Sequence, residues 1–222
     1  GLTLGYRLGT ERESLDLQQG ILEVKGRLLG ARMGVIGGRQ LFLDAPVSMQ
    51  SPRDLTNVQE TWDGFRGYAI WKRFRLDVFD FLQTNKLPQK VFADGTNYNA
   101  RLYGAYTSTA LPSFEFMGQK SQMFADVFFL GYLYGGAAAS IPTASPGGLQ
   151  KGSSRRDNIG MRLWGNAGSF STSLTGVFQG GQFRPAQNSL PTRSVRAYAV
   201  HATITYNRPD WVVKPGFGIE HA

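Results

Sequence analysis

The feature that most constrains this chain is an alternation of apolar and polar residues, repeated in segments of about ten residues. A period of two belongs to a strand whose two faces meet different surroundings. At about 3.3 Å per residue, such a segment has the reach of a tilted strand crossing a bilayer. Eleven segments are read, near 1–8, 15–28, 32–43, 60–70, 73–85, 98–108, 122–135, 155–164, 169–179, 194–206 and 211–222. In 155–164, Ile159, Met161 and Leu163 share one face, and Asn158, Gly160 and Arg162 the other. In 194–206, Tyr198, Val200, Ala202, Ile204 and Tyr206 oppose Ala197, Ala199, His201, Thr203 and Thr205. No stretch keeps a helical period.

Two segments depart from this pattern. Phe74, Leu76 and Val78 begin one face of 73–85, and Phe79 and Phe81 then switch sides. The 122–135 segment carries aromatics on both faces. A bulge or a constricted interior would account for either.

The connections alternate as well. Tight links are read at Leu29 to Ala31, Trp71–Lys72, Gly165–Gly168 and Asn207 to Asp210. Long ones are read at Asp44 to Gln59, Lys86 to Asn97, Gly136 to Ser154 and Gly180 to Arg193. Thr109 to Ser121 should be short and is not. Short turns at one end and long loops at the other are the pattern of an outer-membrane barrel; a soluble sandwich or lipocalin-like barrel has no reason to adopt it. The predicted fold is therefore all-β, an antiparallel transmembrane β-barrel of outer-membrane type in one domain, 1–222. Trp62, Tyr68, Trp71, Tyr98, Tyr134, Trp164, Tyr206 and Trp211 lie near strand ends, where interfacial girdles would put them.

Composition narrows the function classes. The 28 glycines, 13% aromatics and 18% charged residues are unlike an ordinary soluble domain, and the absence of cysteine removes thiol chemistry. The net charge of +8 favours an anionic partner. Its arginines are scattered singly through alternating segments, at Arg39, Arg75, Arg101 and Arg162, which suits a lined channel better than a nucleic-acid patch. The most apolar stretch, Met123 to Ala139, is interrupted by Asp126 and reads as strand rather than as a membrane helix.

The order of motifs from Leu15 to Gly64 is distinctive. Leu15-Asp16-Leu17-Gln18-Gln19 precedes Gly38-Arg39-Gln40 at a strand end; Ser51-Pro52-Arg53-Asp54-Leu55-Thr56-Asn57-Val58 follows, and then Trp62-Asp63-Gly64. This order resembles the alginate export family of outer-membrane porins, as does Arg162-Leu163-Trp164-Gly165 before a tight turn. Leu55-Thr56 stands where the family has Gly-Pro, and Gln59 where it commonly has arginine, so one contact to a transported anion is expected to be missing. The resemblance implies a bacterial outer-membrane channel for an anionic polysaccharide or oligosaccharide such as alginate, surrounded by outer-membrane lipid. It leaves open a periplasmic export scaffold as a partner. Family barrels have about eighteen strands, within the bacterial range. Eleven is odd, so the chain is expected to be incomplete at both ends of its barrel.

With apolar faces turned to lipid, the lumen would receive Arg7, Gln19, Glu23, Lys25, Arg39, Asp63, Asn99, Arg101, Arg162, His201, Lys214 and Glu220. The resemblance adds Arg53, Asp54 and Asn57 from the loop motif. Guanidinium groups around a pore attract carboxylates through bidentate, charge-assisted hydrogen bonds. Interspersed acids keep such binding weak enough for passage. The same charges would also line a general or small-anion diffusion porin. An outer-membrane barrel enzyme or an adhesin is the other class. For an enzyme, no serine is singled out beside His201 or His221, and a carboxylate pair such as Glu220 with Asp63 needs geometry to judge. No metal spacing or nucleotide motif is present, so no cofactor is expected.

Overall fold

The computed structural model describes residues 19–42, 60–86, 94–142, 149–187, 190–207 and 214–221. They contain no helix. The strands are β1 (Gly20–Leu28), β2 (Ala31–Gln40), β3 (Trp62–Ile70), β4 (Phe74–Asn85) and β5 (Gly95–Ala110), then β6 (Phe114–Phe116), β7 (Gln119–Pro142), β8 (Leu149–Ala167), β9 (Phe170–Pro185), β10 (Arg193–Tyr206) and β11 (Gly216–His221). All belong to one eleven-stranded antiparallel sheet in the order β1-β2-β3-β4-β5-β7-β8-β9-β10-β11, with the short β6 paired to β7. Every main-path neighbour is also the next strand in sequence, apart from the β6 insertion. The sheet is therefore a continuous meander.

The expected segments agree with these strands in place and order; the first, 1–8, lies outside the described residues. Four connections differ from what the sequence suggests or leaves unexplained. The long Thr109 to Ser121 link holds β6, which forms a hairpin with β7 around Met117 and Gly118. Much of the supposed loops Gly136 to Ser154 and Gly180 to Arg193 is strand, because β7, β8 and β9 run on to Pro142, from Leu149 and to Pro185. The link before β11 is longer than expected, since that strand starts at Gly216.

Directly paired residues in an antiparallel ladder project to the same side, so the register assigns every side chain to a face. One face, here the core face, holds Phe79, Phe81, Leu102, Tyr106, Phe128 and Leu130 in one buried cluster. Phe81, Leu102 and Leu130 have no solvent exposure. Phe42, just past β2, packs its ring 4.4 Å from that of Phe79 and 5.5 Å from that of Phe81. The other face, the outer face, presents Leu22, Val24, Val35, Phe65, Val78, Val127, Ile159, Met161, Leu174, Phe178, Val200 and Ile219, all exposed. On β10 this stripe runs from Tyr198 to Tyr206, roughly 26 Å along the strand.

The two irregular segments are thus explained. No bulge interrupts Phe74 to Leu82, whose pairing to β3 and β5 is continuous. Phe79 and Phe81 face the core cluster, whereas Phe74, Leu76 and Val78 face outward. In β7, Phe124, Phe128 and Tyr132 point to the core face, and Val127 and Phe129 away from it. Both segments are apolar on two sides because one side is a filled interior. The aromatic positions need a matching correction. Trp62, Tyr68, Tyr134 and Trp164 lie on the core face, paired in register with Gln40, Gly34, Ala100 and Phe124 respectively, so they do not form an outward girdle. Tyr206 lies on the outer face in step with Ile204, Trp71 and Tyr98 are exposed, and Trp211 lies outside the described residues.

Candidate functional site

Nearer the short turns, the aromatic filling of the core face gives way to polar side chains. Cross-strand pairs there link Arg27, Arg32, Ile70, Arg75, Ser108, Asp126, Arg162, Thr175, His201 and Glu220 into one unbroken row, from β1 to β11. Only Ile70 in this row is apolar. A row follows the hydrogen bonds, so in a tilted, curled sheet it climbs like a thread rather than lying in one plane.

Asp77, Asp126 and Glu23 on this face are held firmly. Asp77, with no exposure, accepts hydrogen bonds at Oδ1 from Arg66 Nε at 2.9 Å and Nη2 at 2.7 Å, and at Oδ2 from Arg75 Nε at 2.7 Å. Arg66 also lies 5.9 Å from the centre of the Phe42 ring. Asp126, likewise buried, accepts from Trp164 Nε1 at 2.6 Å and from the Tyr106 hydroxyl. Arg162 faces Asp126 across the ladder, donates Nε to Ser173 at 3.0 Å and sits 5.0 Å over the Trp164 ring. One row further in, Glu23 pairs with Lys25 at 2.9 Å and accepts from the Tyr68 hydroxyl at 2.7 Å.

Arg27 and Arg32 are different. They form a directly opposed cross-strand pair, and among the described residues neither has an ion-pair partner. Like charges set opposite each other in a sheet cost stability. Together with Lys25, Tyr68 and Ile70 they line a cavity of about 410 Å³. Three cationic side chains, Lys25, Arg27 and Arg32, line that cavity, a charge that suits carboxylate or phosphate groups.

Of the residues expected to line a lumen, Glu23, Lys25, Arg162, His201 and Glu220 lie together on the core face. Arg39, Asp63 and Arg101 do not. Register places Arg39 and Asp63 on the outer face with Val35 and Phe65, and Arg101 on that face with Leu133. Arg39 donates Nε to Asp63 Oδ1 at 2.8 Å, and Arg101 Nε to Asp80 at 2.6 Å. The physical reason is that each finds its counter-charge on that face, beyond the apolar stripe: Arg39 and Asp63 satisfy each other while largely covered, and Arg101 pairs with Asp80 half-exposed to solvent. Asn99 stands in an irregular stretch of β5 beside Gly135. Lys214 is exposed before β11 and outside the row, and Gln19 is exposed before β1. Arg7, Arg53, Asp54 and Asn57 lie outside the described residues.

Arg27, Arg32, Arg66, Asp77 and Asp126 were missed. Strand parity carried the signal for several: Arg27 shares the parity of Glu23 and Lys25, and Arg75 and Asp77 oppose Phe74, Leu76 and Val78. Comparison with family models, with curated proteins and with solved structures gave no match to this chain.

Proposed function

We propose that this chain forms part of a bacterial outer-membrane β-barrel that serves as a channel for an anionic polysaccharide or oligosaccharide of the alginate type. The observation that carries the reading is the unpaired Arg27–Arg32 couple at the head of the polar row, opposite an outer face that exposes aliphatic and aromatic side chains. A soluble protein rarely leaves so broad an apolar surface in water, whereas a membrane strand needs one lipid-compatible face. A like-charged arginine couple costs stability wherever it serves only structure, and it makes sense as a contact for a passing anion. In a bilayer the edges of β1 and β11 must be paired, by each other or by further strands. The resemblance of the Gly38-Arg39-Gln40 and Trp62-Asp63-Gly64 motifs points to the same transport class.

A general or small-anion diffusion porin is the second reading. It is less well supported because Phe79, Phe81, Phe128 and Leu130 fill the core face over β4–β7, where an open lumen would be lined by polar groups. Solutes are left the side of β8–β10, whose core face carries Gly160, Val177, Ala197 and Ala199. Planar-bilayer recordings with added uronate oligomers separate the two. Oligomers should block the current, and Arg27→Gln with Arg32→Gln should weaken the block at least about tenfold, the loss of one charge-assisted contact. The outer-face variants Arg39→Ala and Arg101→Ala should leave block unchanged. Block that survives the Arg27 and Arg32 changes would sink the selective reading.

A further inference from the structure

We infer that the outer face carries a binding groove for the phosphorylated sugar headgroup of an outer-leaflet glycolipid, built where irregularities in β5 and β7 adjoin. The inference rests on the membrane reading above. Pairing of β4 with β5 shifts register between Leu82 and Gln83, which throws Tyr98 and Asn99 out of the ladder. Pairing of β7 with β8 shifts between Tyr134 and Ala139. Between β5 and β7 the ladder ends at Ala100 and Tyr134, so the two irregular stretches lie side by side. Bulges bend strands and re-aim side chains. Asn99 Oδ1 lies 3.4 Å from the place a Cβ on Gly135 would take, so the two stretches are in van der Waals contact there.

The result is a groove of about 430 Å³ whose lining includes Tyr98, Arg101, Leu133, Arg155, Gln182 and Arg184. Arg101, Arg155 and Arg184 all project to the outer face. Arg101 gives Nε and Nη2 to Asp80, and Arg155 gives Nε to Asp157 at 2.8 Å. A guanidinium has five N–H donors, so both keep donors for a ligand. Arg184 has no ion-pair partner among the described residues. The ring of Tyr98, 81% exposed, offers a flat surface to a sugar.

Spacing selects the ligand. Arg101 on β5 and Arg184 on β9 are three strand intervals apart, roughly 14 Å at about 4.8 Å per interval. Arginines on strands that far apart suit a sugar carrying two anionic groups better than a single phosphate. Position selects its source. The groove opens outward rather than toward the polar row, and along the same strands toward the short turns the outer face becomes Phe129, Ile159 and Phe178, where acyl chains would lie. A cargo molecule on the core face would reach none of these arginines.

The test uses the protein as purified in detergent. Insertion into phosphatidylcholine vesicles, read by protease protection, checks the membrane reading alone. Native mass spectrometry then follows binding of bisphosphorylated lipid A, its dephosphorylated form and inorganic phosphate. The bisphosphorylated lipid should be retained, with at least tenfold weaker retention in the Arg155→Gln/Arg184→Gln variant and for the dephosphorylated lipid. Normal insertion with equal retention by variant and wild type overturns the groove and spares the membrane reading. Displacement of the lipid by inorganic phosphate alone overturns two-point recognition. Failure to insert overturns the membrane reading, and the groove with it.

Discussion

Tyr103 lies across Gly131, so that a Cβ added to that glycine would come 2.2 Å from the phenol ring. From there its hydroxyl reaches the next strand and donates to Asp157 at 2.8 Å. Tyr68 repeats the arrangement on the opposite face, crossing Gly34 to reach Glu23. In each case the glycine supplies the floor on which a ring can lie flat and span two strand intervals. Gly131→Ala should push the ring away and lose both packing and hydrogen bond, about 1–3 kcal/mol. Urea unfolding of the folded protein measures it. In a Tyr103→Ala background most of that loss should vanish, because the ring that clashes is gone.

Asp77 and Asp80 stand three residues apart on β4 and face opposite ways. Asp77 is fully buried between two arginines, and Asp80 is half-exposed beside Arg101. Asp77→Asn removes the charge that compensates Arg66 and Arg75 and should destabilise by about 3 kcal/mol. Asp80→Asn should cost under about 1 kcal/mol, since water already screens that pair. Equal losses from the two substitutions would mean that Asp77 is far wetter than its geometry indicates.

Much of this architecture was legible in the sequence, because period two is a local property. Strands such as 194–206 needed only their own residues to be recognised. The faces were harder. Polar-inward reasoning is sound within the apolar stripe and breaks down past its edge, where Arg39, Asp63 and Arg101 point outward with the same parity as Val35, Phe65 and Leu133. Parity alone contained that answer for Arg39, which follows Met33 and Val35 in step. The row from Arg27 to Glu220 was invisible, since it exists only once the registers of all ten main-path strands are set. No segment taken singly contains more than one of its members.

Two tight turns carry strained residues at identical places. Leu29 and Met117 have φ of 50° and 51°, each followed by a glycine with φ of 74° or 72°. Positive φ at both central residues is the backbone of a type I′ hairpin turn, for which Asn-Gly is the favoured pair. A bulky side chain in that region costs roughly 1–2 kcal/mol. Leu29→Asn and Met117→Asn should each stabilise by about 1 kcal/mol, and Gly30→Ala and Gly118→Ala should destabilise by a similar amount. Paired unfolding curves check the sign. The same residues explain why the Leu29–Gly30 turn was legible by its length and not by turn chemistry, and why the Met117–Gly118 turn, hidden inside a long link, was not legible at all.

The stacked rings of Phe79 and Phe81, 5.3 Å apart and capped by Phe42, decide whether the core face is an obstacle to flow. Phe81 has no exposure, so Phe81→Ala leaves a cavity and should cost about 3–5 kcal/mol. In a channel the same change also removes bulk from the side of β4, and single-channel conductance should rise. The Arg27→Gln/Arg32→Gln variant should move stability the other way, with a slight gain because a like-charged pair is relieved, and should weaken oligouronate block. A structural role for the arginines predicts lower stability on their removal, so the sign of that change separates a device for anions from a device for folding. If conductance stays fixed in Phe81→Ala while stability falls, solutes run only along the small residues of β8–β10, and the aromatic cluster is wall rather than gate.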